Sequence, residues 1–551
     1  MAAALIAVPL ATATPARAAQ VPGSSLVIEA RTEGKLVDNF NPFSTANPLT
    51  EMGVPSYIYE PLLQYNELQV DQYYPWLAQS WSFSSSGQTI TFNLRPGVKW
   101  DDGSAFTAAD AAYTFNLIKA HPRLDHGLPL VSAVAVNRST LTLTLSRPGY
   151  AYLYDIARVP IVKNGYAAGA TSGSYVDRAP DGTGPYRLAR PRGFSPARVV
   201  LEARAGYWQQ GEPAIGKLVF PAYPDSAAAL SALSSGQLDW SALRMPSVKS
   251  HYVAKDNAHN HYWFAPVGCI SLELNLARYP TNELAVRRAI SKAVDRDALS
   301  AQVEGGHDPP ATSSSGLVLP TDSQFLVRAD TNDIRGGADP AGAALLMKGA
   351  GYHLGADGYW TTLAGHVLSF DLVDPAGSQF AAAARMVAKQ LRQAGFDARF
   401  TAATSGRWQA DLAEGNFDGS VLASATGPSP YYMYESWLDP SLLVGGHAAG
   451  GDYERLDRAT APSVAATVAK ELAAYNDSLS GSPQATAATQ ALAAVVSTQQ
   501  PIVPLMYDVA WGEFSTRHAQ GWPGDEDPYE PAVPEAPFAE YTVLQLSPSS
   551  I

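Results

Sequence analysis

Three neighbouring stretches decide the fold: YPWLAQSW at residues 74–81, GQTITFNLRPGVKW at residues 87–100 and TAAD at residues 107–110. Apolar and polar residues alternate from Ile90 to Arg95, which predicts a half-buried strand because successive side chains point to opposite faces. Thr107 is followed three residues later by Asp110, an acidic version of the capping box that starts a helix. The segment therefore combines a strand with a helix that follows it.

Strands and helices continue to alternate outward from this segment. Val134 and Leu141–Leu145 flank a turn at residues 137–139, which predicts a hairpin. Further strands are predicted at residues 26–30, 186 onward, 215–220, 270–274 and 541–546, and helices at residues 225–233, 341–351, 380–394 and after Thr281, which we expect to be the cap. This alternation indicates an α/β protein.

Composition excludes several functional classes. The 551 residues include 38 basic and 51 acidic side chains, a net charge of −13. A nucleic-acid-binding protein needs a basic face to displace counterions from phosphates, and docking on anionic lipid needs basic clusters. Cys269 is the only cysteine, so the chain has no internal disulfide. Its neighbours are apolar, which favours a buried hydrophobic role over a nucleophilic one.

The N-terminus is typical of an export signal. Residues 1–10 are almost wholly apolar, and Ala16-Arg17-Ala18 matches a small-residue cleavage pattern. We predict a signal peptide over residues 1–18 and an exported protein, in the periplasm or at the outer face of the cytoplasmic membrane. A buried apolar segment is the alternative. The residue directly after the cleavage point is Ala19 and not a cysteine, so no lipoprotein anchor is expected.

The familiar catalytic and metal-binding motifs are missing. The sequence has no H-E-x-x-H, no G-x-S-x-G and no calcium-binding loop. Gly211–Lys217 has the spacing of a phosphate loop, but Leu218 stands where Ser or Thr would be needed, so we expect a surface turn. His259 and His261, with His251 nearby, offer two or three metal ligands without a fixed third position. We therefore predict no catalytic residue, no metal and no cofactor.

The stretches quoted first resemble the signature of the extracellular solute-binding proteins of family 5, the receptors of oligopeptide- and dipeptide-type ABC importers. The resemblance extends from about Leu26 to Phe514, and its motifs occur in the same order as in the family. Further matches are Gly182-Thr183-Gly184-Pro185-Tyr186, Tyr207-Trp208, Ser235–Asp239, Asn275, Arg287–Ile290, Ala350-Gly351-Tyr352 and Pro501–Leu505.

The resemblance implies an α/β, two-lobed, periplasmic-binding-protein-like fold (type II, cluster C) with an extra inserted subdomain. Lobe I would comprise residues 24–58, 182–266 and 505–551, the inserted subdomain residues 59–181, and lobe II residues 267–504. It also implies a monomeric receptor, not an enzyme, which captures a small solute by hinge closure and delivers it to ABC permease subunits.

The resemblance places a ligand site near Phe417-Asp418. Trp408 stands where peptide receptors have a pocket tryptophan, and Tyr431, Tyr432 and Tyr434 are aromatic candidates on the other side of this segment. Peptide receptors commonly have a Trp and an Asp after this pair, and the Asp holds the peptide's α-amino group. This chain has Ser424-Ala425-Thr426-Gly427 instead.

Two explanations of this departure remain open. Another carboxylate, Glu51 or Glu435, takes the role, or the solute has no free amine. The receptor would then bind an oligopeptide in the first case and an oligosaccharide or other neutral solute in the second. A secreted hydrolase is a third, disfavoured reading, because no nucleophile and base can be paired from the motifs.

Overall fold

The computed structural model describes residues 24–29, 34–44, 47–121, 124, 127–166, 175–328, 334–439, 443–444, 447–448, 462–535 and 538–550. The predicted signal peptide over residues 1–18 lies outside these ranges.

The chain forms two compact units. The first comprises Met1–Ala265 and Ala510–Ile551, and the second comprises Pro266–Val509. The chain passes from one unit to the other at residues 265–266 and 509–510. Each of these positions lies inside a long strand, the first of 15 residues and the second of 14. The finer division into two lobes and an inserted subdomain at residues 59–181 stays a prediction.

The first segment of the chain is rich in strands. Its elements are the strands β1 Ser25–Glu29, β2 Leu63–Tyr65, β3 Tyr73–Pro75, β4 Ala78–Phe83, β5 Thr89–Leu94, β6 Leu130–Asn137, β7 Thr140–Leu145, β8 Tyr186–Leu188, β9 Phe194–Ser195, β10 Arg198–Ala203, β11 Lys217–Pro221, β12 Trp240–Ser241 and β13 Asn260–Leu274, the helices α1 Pro48–Glu51, α2 Ala108–Ala120, α3 Leu153–Ala157, α4 Ser226–Ser234 and α5 Val248–His251, and 3₁₀ turns at Val54–Tyr57 and Val253–Lys255.

The remaining segment is richer in helices. It contains the helices α6 Leu284–Ala293, α7 Arg296–Val303, α8 Pro340–Gly349, α9 Ala381–Gln393, α10 Ser405–Glu414, α11 Tyr431–Leu438, α12 Pro462–Asn476, α13 Pro483–Gln499 and α14 Phe538–Gln545, the strands β14 His353–Leu354, β15 Trp360–Thr361, β16 Ser369–Pro375, β17 Asp397–Ala403, β18 Gly419–Ala423, β19 Leu443–Val444, β20 His447–Ala448, β21 Ile502–Ser515, β22 Ala519–Gln520 and β23 Ser547–Pro548, and a 3₁₀ turn at Ser323–Phe325.

The first unit has two main sheets. In the larger one, β1 is parallel to both β11 and β12, while β10 is antiparallel to β11 and β8. The smaller one is antiparallel with the order β4-β5-β7-β6. It contains the predicted hairpin, because β6 and β7 are joined at residues 137–140. The predicted capping box is also present, since Thr107 and Asp110 bond reciprocally at the start of α2.

The glycines of the Gly182–Tyr186 motif are required by close backbone contact. A Cβ atom at Gly182 would lie 1.8 Å from the Ile58 carbonyl oxygen. The Gly184 N–H donates to that same oxygen at 2.8 Å. Only glycine allows the chain to approach this closely before it enters β8.

In the second unit, helices pack on a mixed sheet. Parallel β17, β16 and β18 continue into β13, which runs antiparallel to β18. The buried face of α6 includes Val286, Ile290 and Ala293, which all lie in a large apolar core. Thr281 is not the cap of α6, because Glu283 holds that position and the Thr281 hydroxyl instead donates to the Asn275 carbonyl at 2.6 Å.

The strand predicted at residues 541–546 is wrong. The segment belongs to α14, and Ala539 and Val543, one helical turn apart, are both fully buried. Leu544 and Leu546 are also buried. Val543 and Leu544 are adjacent and both buried, which fits neither the two-residue period of a strand nor the 3.6-residue period of a helix. The sequence pattern therefore could not distinguish a strand from a helix here.

Arg287 ties α6 to the end of α13. Its guanidinium is buried and donates to the carbonyls of Gln499 and Gln500, and of Thr281 and Asn282, at 2.8–3.2 Å. Burial lowers the pKa of Arg287 to about 10. The group supplies donors to the carbonyls that a helix C-terminus leaves unsatisfied.

We predict that Arg287→Lys lowers the free energy of unfolding by about 2–3 kcal/mol, because an ammonium cannot replace the planar fork and leaves buried carbonyls unsatisfied. Urea unfolding measures this. Arg288→Lys is the matched control: Arg288 is the next residue and is partly exposed, with one bond to the Thr498 carbonyl. Equal losses in the two variants would contradict the assigned role.

Candidate functional site

The predicted ligand-binding residues divide between the two units. Glu51 belongs to the first, and Trp408, Ser424, Tyr431, Tyr432 and Tyr434 belong to the second. Each group is therefore described within its own unit.

Trp408 is held in place by a hydrogen bond and a small apolar cluster. It lies on α10, and its indole Nε1–H donates to Ser420 Oγ at 3.0 Å. Its ring packs on a cluster formed by Val373, Leu412 and Phe417. The side chain remains partly exposed. A fixed and partly exposed indole is suited to stacking against a solute.

A buried acid, Asp374, lies beneath Trp408. The Ser420 hydroxyl donates to Asp374 Oδ1 at 3.1 Å, and the Val421 N–H donates to Oδ2 at 3.3 Å. Asp374 is 1% exposed, and burial raises its pKa to about 7. Sequence reasoning missed this residue; the available signal was an acid at the end of an apolar strand, directly before Pro375.

The three tyrosines lie on α11 and are buried. Tyr431 stacks on Tyr475 with 3.8 Å between ring centres, and its hydroxyl donates to Glu435 Oε1 at 2.8 Å. The ring of Tyr432 lies against Gly427, and Tyr434 packs near Trp437. These contacts give each ring a packing role. A solute contact by one of them stays a prediction.

Ser424 continues the pairing of β18 with β13. Its N–H donates to the Cys269 carbonyl at 2.8 Å, and its Oγ accepts from the Cys269 N–H at 3.1 Å. Cys269 is fully buried, and burial raises the pKa of its thiol. The Ser424 oxygen therefore has a backbone partner, and its role toward a solute stays a prediction.

Glu51 is the last residue of the four-residue helix α1 and is exposed. Asn47 caps this helix by accepting a hydrogen bond from the Leu49 N–H at 3.2 Å. A carboxylate in water attracts an ammonium group only weakly. Its part in binding an amine stays a prediction.

The first unit contains a pocket that sequence reasoning missed. Its volume is about 120 Å³. The lining includes three chemically distinct groups: the phenol of Tyr59, the carboxyl of Glu540 and the guanidinium of Arg158. The remaining lining residues are Pro42, Thr50, Gly53, Pro55, Ser56, Pro61, Gln64, Ala157 and Pro160.

A second buried carboxyl lies behind this pocket. Glu60 Oε1 accepts from the Tyr207 hydroxyl at 2.7 Å and from Trp208 Nε1–H at 2.9 Å. Glu540 Oε2 accepts from Gln64 Nε2–H at 2.9 Å. Burial and the neighbouring Glu60 raise the pKa of Glu540 well above its ordinary value. Two neighbouring buried acids oppose each other's ionisation.

The histidines considered for a metal have other partners. His259 Nδ1 lies 2.9 Å from Asp256 Oδ2, and the His261 ring packs against Phe514. His251 Nδ1 lies 3.1 Å from Ser250 Oγ. Over the part of the chain that the structure describes, no group of three or more His, Cys, Asp or Glu side chains is arranged to hold a metal ion.

Solved structures share this fold. A Thermotoga maritima periplasmic oligopeptide-binding protein of an ABC transporter, solved with mannohexaose bound, matches with a TM-score of 0.76 over 96% of this chain and 100% of its own, at 20% identity. The fold of this chain is therefore that of the two-lobed α/β periplasmic binding proteins, and the predicted fold class is confirmed. No helix among the described residues is long and apolar enough to span a membrane.

The chain belongs to the bacterial extracellular solute-binding proteins, family 5, whose family model matches residues 72–441. The nickel-binding periplasmic protein of Escherichia coli is 31% identical over 45% of this chain and 48% of its own length. The dipeptide-binding protein of the same organism is 28% identical over 58% of this chain and 62% of its own. The matched part thus spans about half to three-fifths of these relatives. The predicted family is confirmed.

Asp374 makes the unfolding free energy depend on pH. Its ordinary pKa is 3.8 and its folded pKa is about 7, so the native state holds a proton that the unfolded state releases. We predict that native stability falls as pH rises from about 4 to 7, by up to about 1.4 kcal/mol per pH unit. Asp374→Asn should remove this component, as measured by urea unfolding at pH 5 and pH 8.

Asp371→Asn is the matched control, because Asp371 is exposed on the same strand. It should leave the pH dependence unchanged. The assignment is wrong if Asp374→Asn and wild type lose the same stability between the two pH values.

Proposed function

We propose that this protein is an extracytoplasmic receptor of an ABC importer and is not an enzyme. It captures an oligopeptide or similar solute by hinge closure between its two lobes and delivers it to the permease. The observation that carries the proposal is the family match over residues 72–441, about two-thirds of the chain. The relatives named above are binding proteins for nickel and for dipeptides.

A neutral solute, such as an oligosaccharide, is the second candidate. The segment Ser424–Gly427 offers no carboxylate for an α-amino group. An ammonium buried without a counter-charge costs several kcal/mol. The mannohexaose-bound structural neighbour supports this candidate on the level of the fold.

A thermal-shift screen separates the two candidates. We predict that one class, peptides of two to five residues or linear oligosaccharides, raises the melting temperature, with about 2.7 kcal/mol of stabilisation at solute concentrations near 100 times Kd. N-acetylated peptides should bind as well as free ones if no carboxylate holds the amine. A tenfold preference for the free amine, about 1.4 kcal/mol, would exclude the neutral-solute reading.

Trp408→Ala should reduce the rise in melting temperature that the bound solute causes in this screen, because a stacked aromatic contributes about 1 kcal/mol or more to binding. Trp263→Ala is the control: Trp263 is also partly exposed and has one side-chain bond, from Nε1–H to Asp525 at 2.7 Å. No shift from either class would count against the receptor function.

A further inference from the structure

The charge of the pocket in the first unit depends on Glu540. Its Oε2 accepts from Gln64, but no N–H or O–H of a described residue lies within hydrogen-bonding distance of Oε1. Glu60 Oε2 is in the same position. Burial and the neighbouring Glu60 raise the pKa of Glu540 well above its ordinary value. Two neighbouring buried acids oppose each other's ionisation, so one of them keeps its proton.

The proton belongs mainly to Glu540. Burial raises the pKa of both acids, and the neighbouring Glu60 raises that of Glu540 further. Glu60 has the better environment for a negative charge, with donors from Tyr207 and Trp208. Glu540 is 1% exposed, and burial and the neighbouring Glu60 outweigh the Trp76 and Gln64 groups that favour its ionised form. Glu540 therefore presents a neutral acid to the pocket.

Arg158 supplies the charge of the pocket. It is exposed, and its guanidinium lies 5.0 Å from the centre of the Tyr154 ring. Burial opposes its charge, but Tyr154, Tyr65, Asp155 and Glu67 act on it through space and raise its pKa, so it stays positively charged. A guanidinium on a concave surface is suited to bidentate recognition of a carboxylate.

We propose that this pocket binds a carboxylate group of the transported solute, with Arg158 as the ion-pair partner and Glu540 as a second lining residue. The proposal rests on the proposed receptor function. A volume of about 120 Å³ holds a carboxylate and a short stem, not a whole peptide. An amine in the same pocket would require ionised Glu540 beside ionised Glu60, which like-charge repulsion opposes.

Titration calorimetry with the dipeptide Met-Leu and its C-terminal amide tests the proposal. We expect wild type to prefer the free carboxylate at least tenfold, and Arg158→Gln to lose that preference. Arg147→Gln is the matched control, because Arg147 is also exposed and stacks on a tyrosine, Tyr152 at 5.1 Å, but does not line the pocket. Glu540→Gln, which mimics the neutral acid, should keep the preference.

Succinate, at ionic strength matched with sodium chloride, is the solute-independent probe. We expect it to raise the melting temperature of wild type and Arg147→Gln but not of Arg158→Gln. If Met-Leu binds but amidation or Arg158→Gln changes nothing, the carboxylate pocket is wrong while the receptor function stands.

The opposite result is equally informative. If no peptide and no mannohexaose binds, yet succinate shows an Arg158-dependent shift, the receptor function fails and the anion pocket stands. A preference for a free amine that Glu540→Gln abolishes would overturn the proposal in favour of an ammonium site.

Discussion

The continuity of β13 and β21 is the constraint on which the rest of the structure depends. The chain passes between its two units only within these strands, at residues 265–266 and 509–510. In the second unit Ile270–Leu274 of β13 pair with β18, and in the first unit Phe514 of β21 pairs with Trp240. Each unit must therefore bury a core of its own, as the apolar cluster of the second unit illustrates.

Protonation is one way in which this acidic chain tolerates carboxyls in its interior. Burial and the neighbouring Glu60 raise the pKa of Glu540, and burial raises the pKa of Asp374 to about 7 while it accepts bonds from Ser420 and Val421. An ionised acid would cost far more in these surroundings. The consequence for function is that the walls beside Arg158 and Trp408 carry less negative charge than the sequence suggests.

Local signals in the sequence predicted much of the fold. The Thr107–Asp110 capping box and the hairpin at residues 137–140 were predictable because each depends on neighbouring residues. The close approach of Gly182 to Ile58 was not, because it joins residues far apart in the chain. The α14 helix was missed because its buried positions follow tertiary contacts and not one period. The pocket was missed for a related reason: Arg158 and Glu540 are far apart in the chain and meet only after folding. Trp408 was selected from the resemblance, whereas Asp374 beneath it had no motif.

Small-angle scattering with and without a saturating solute tests the receptor account most directly. A hinge-bending receptor has a solute-stabilised closed state, because only a solute that contacts both lobes favours closure. The account predicts a smaller radius of gyration when the solute identified by thermal shift is added. An unchanged radius of gyration at saturation, with binding verified in the same sample, would contradict it.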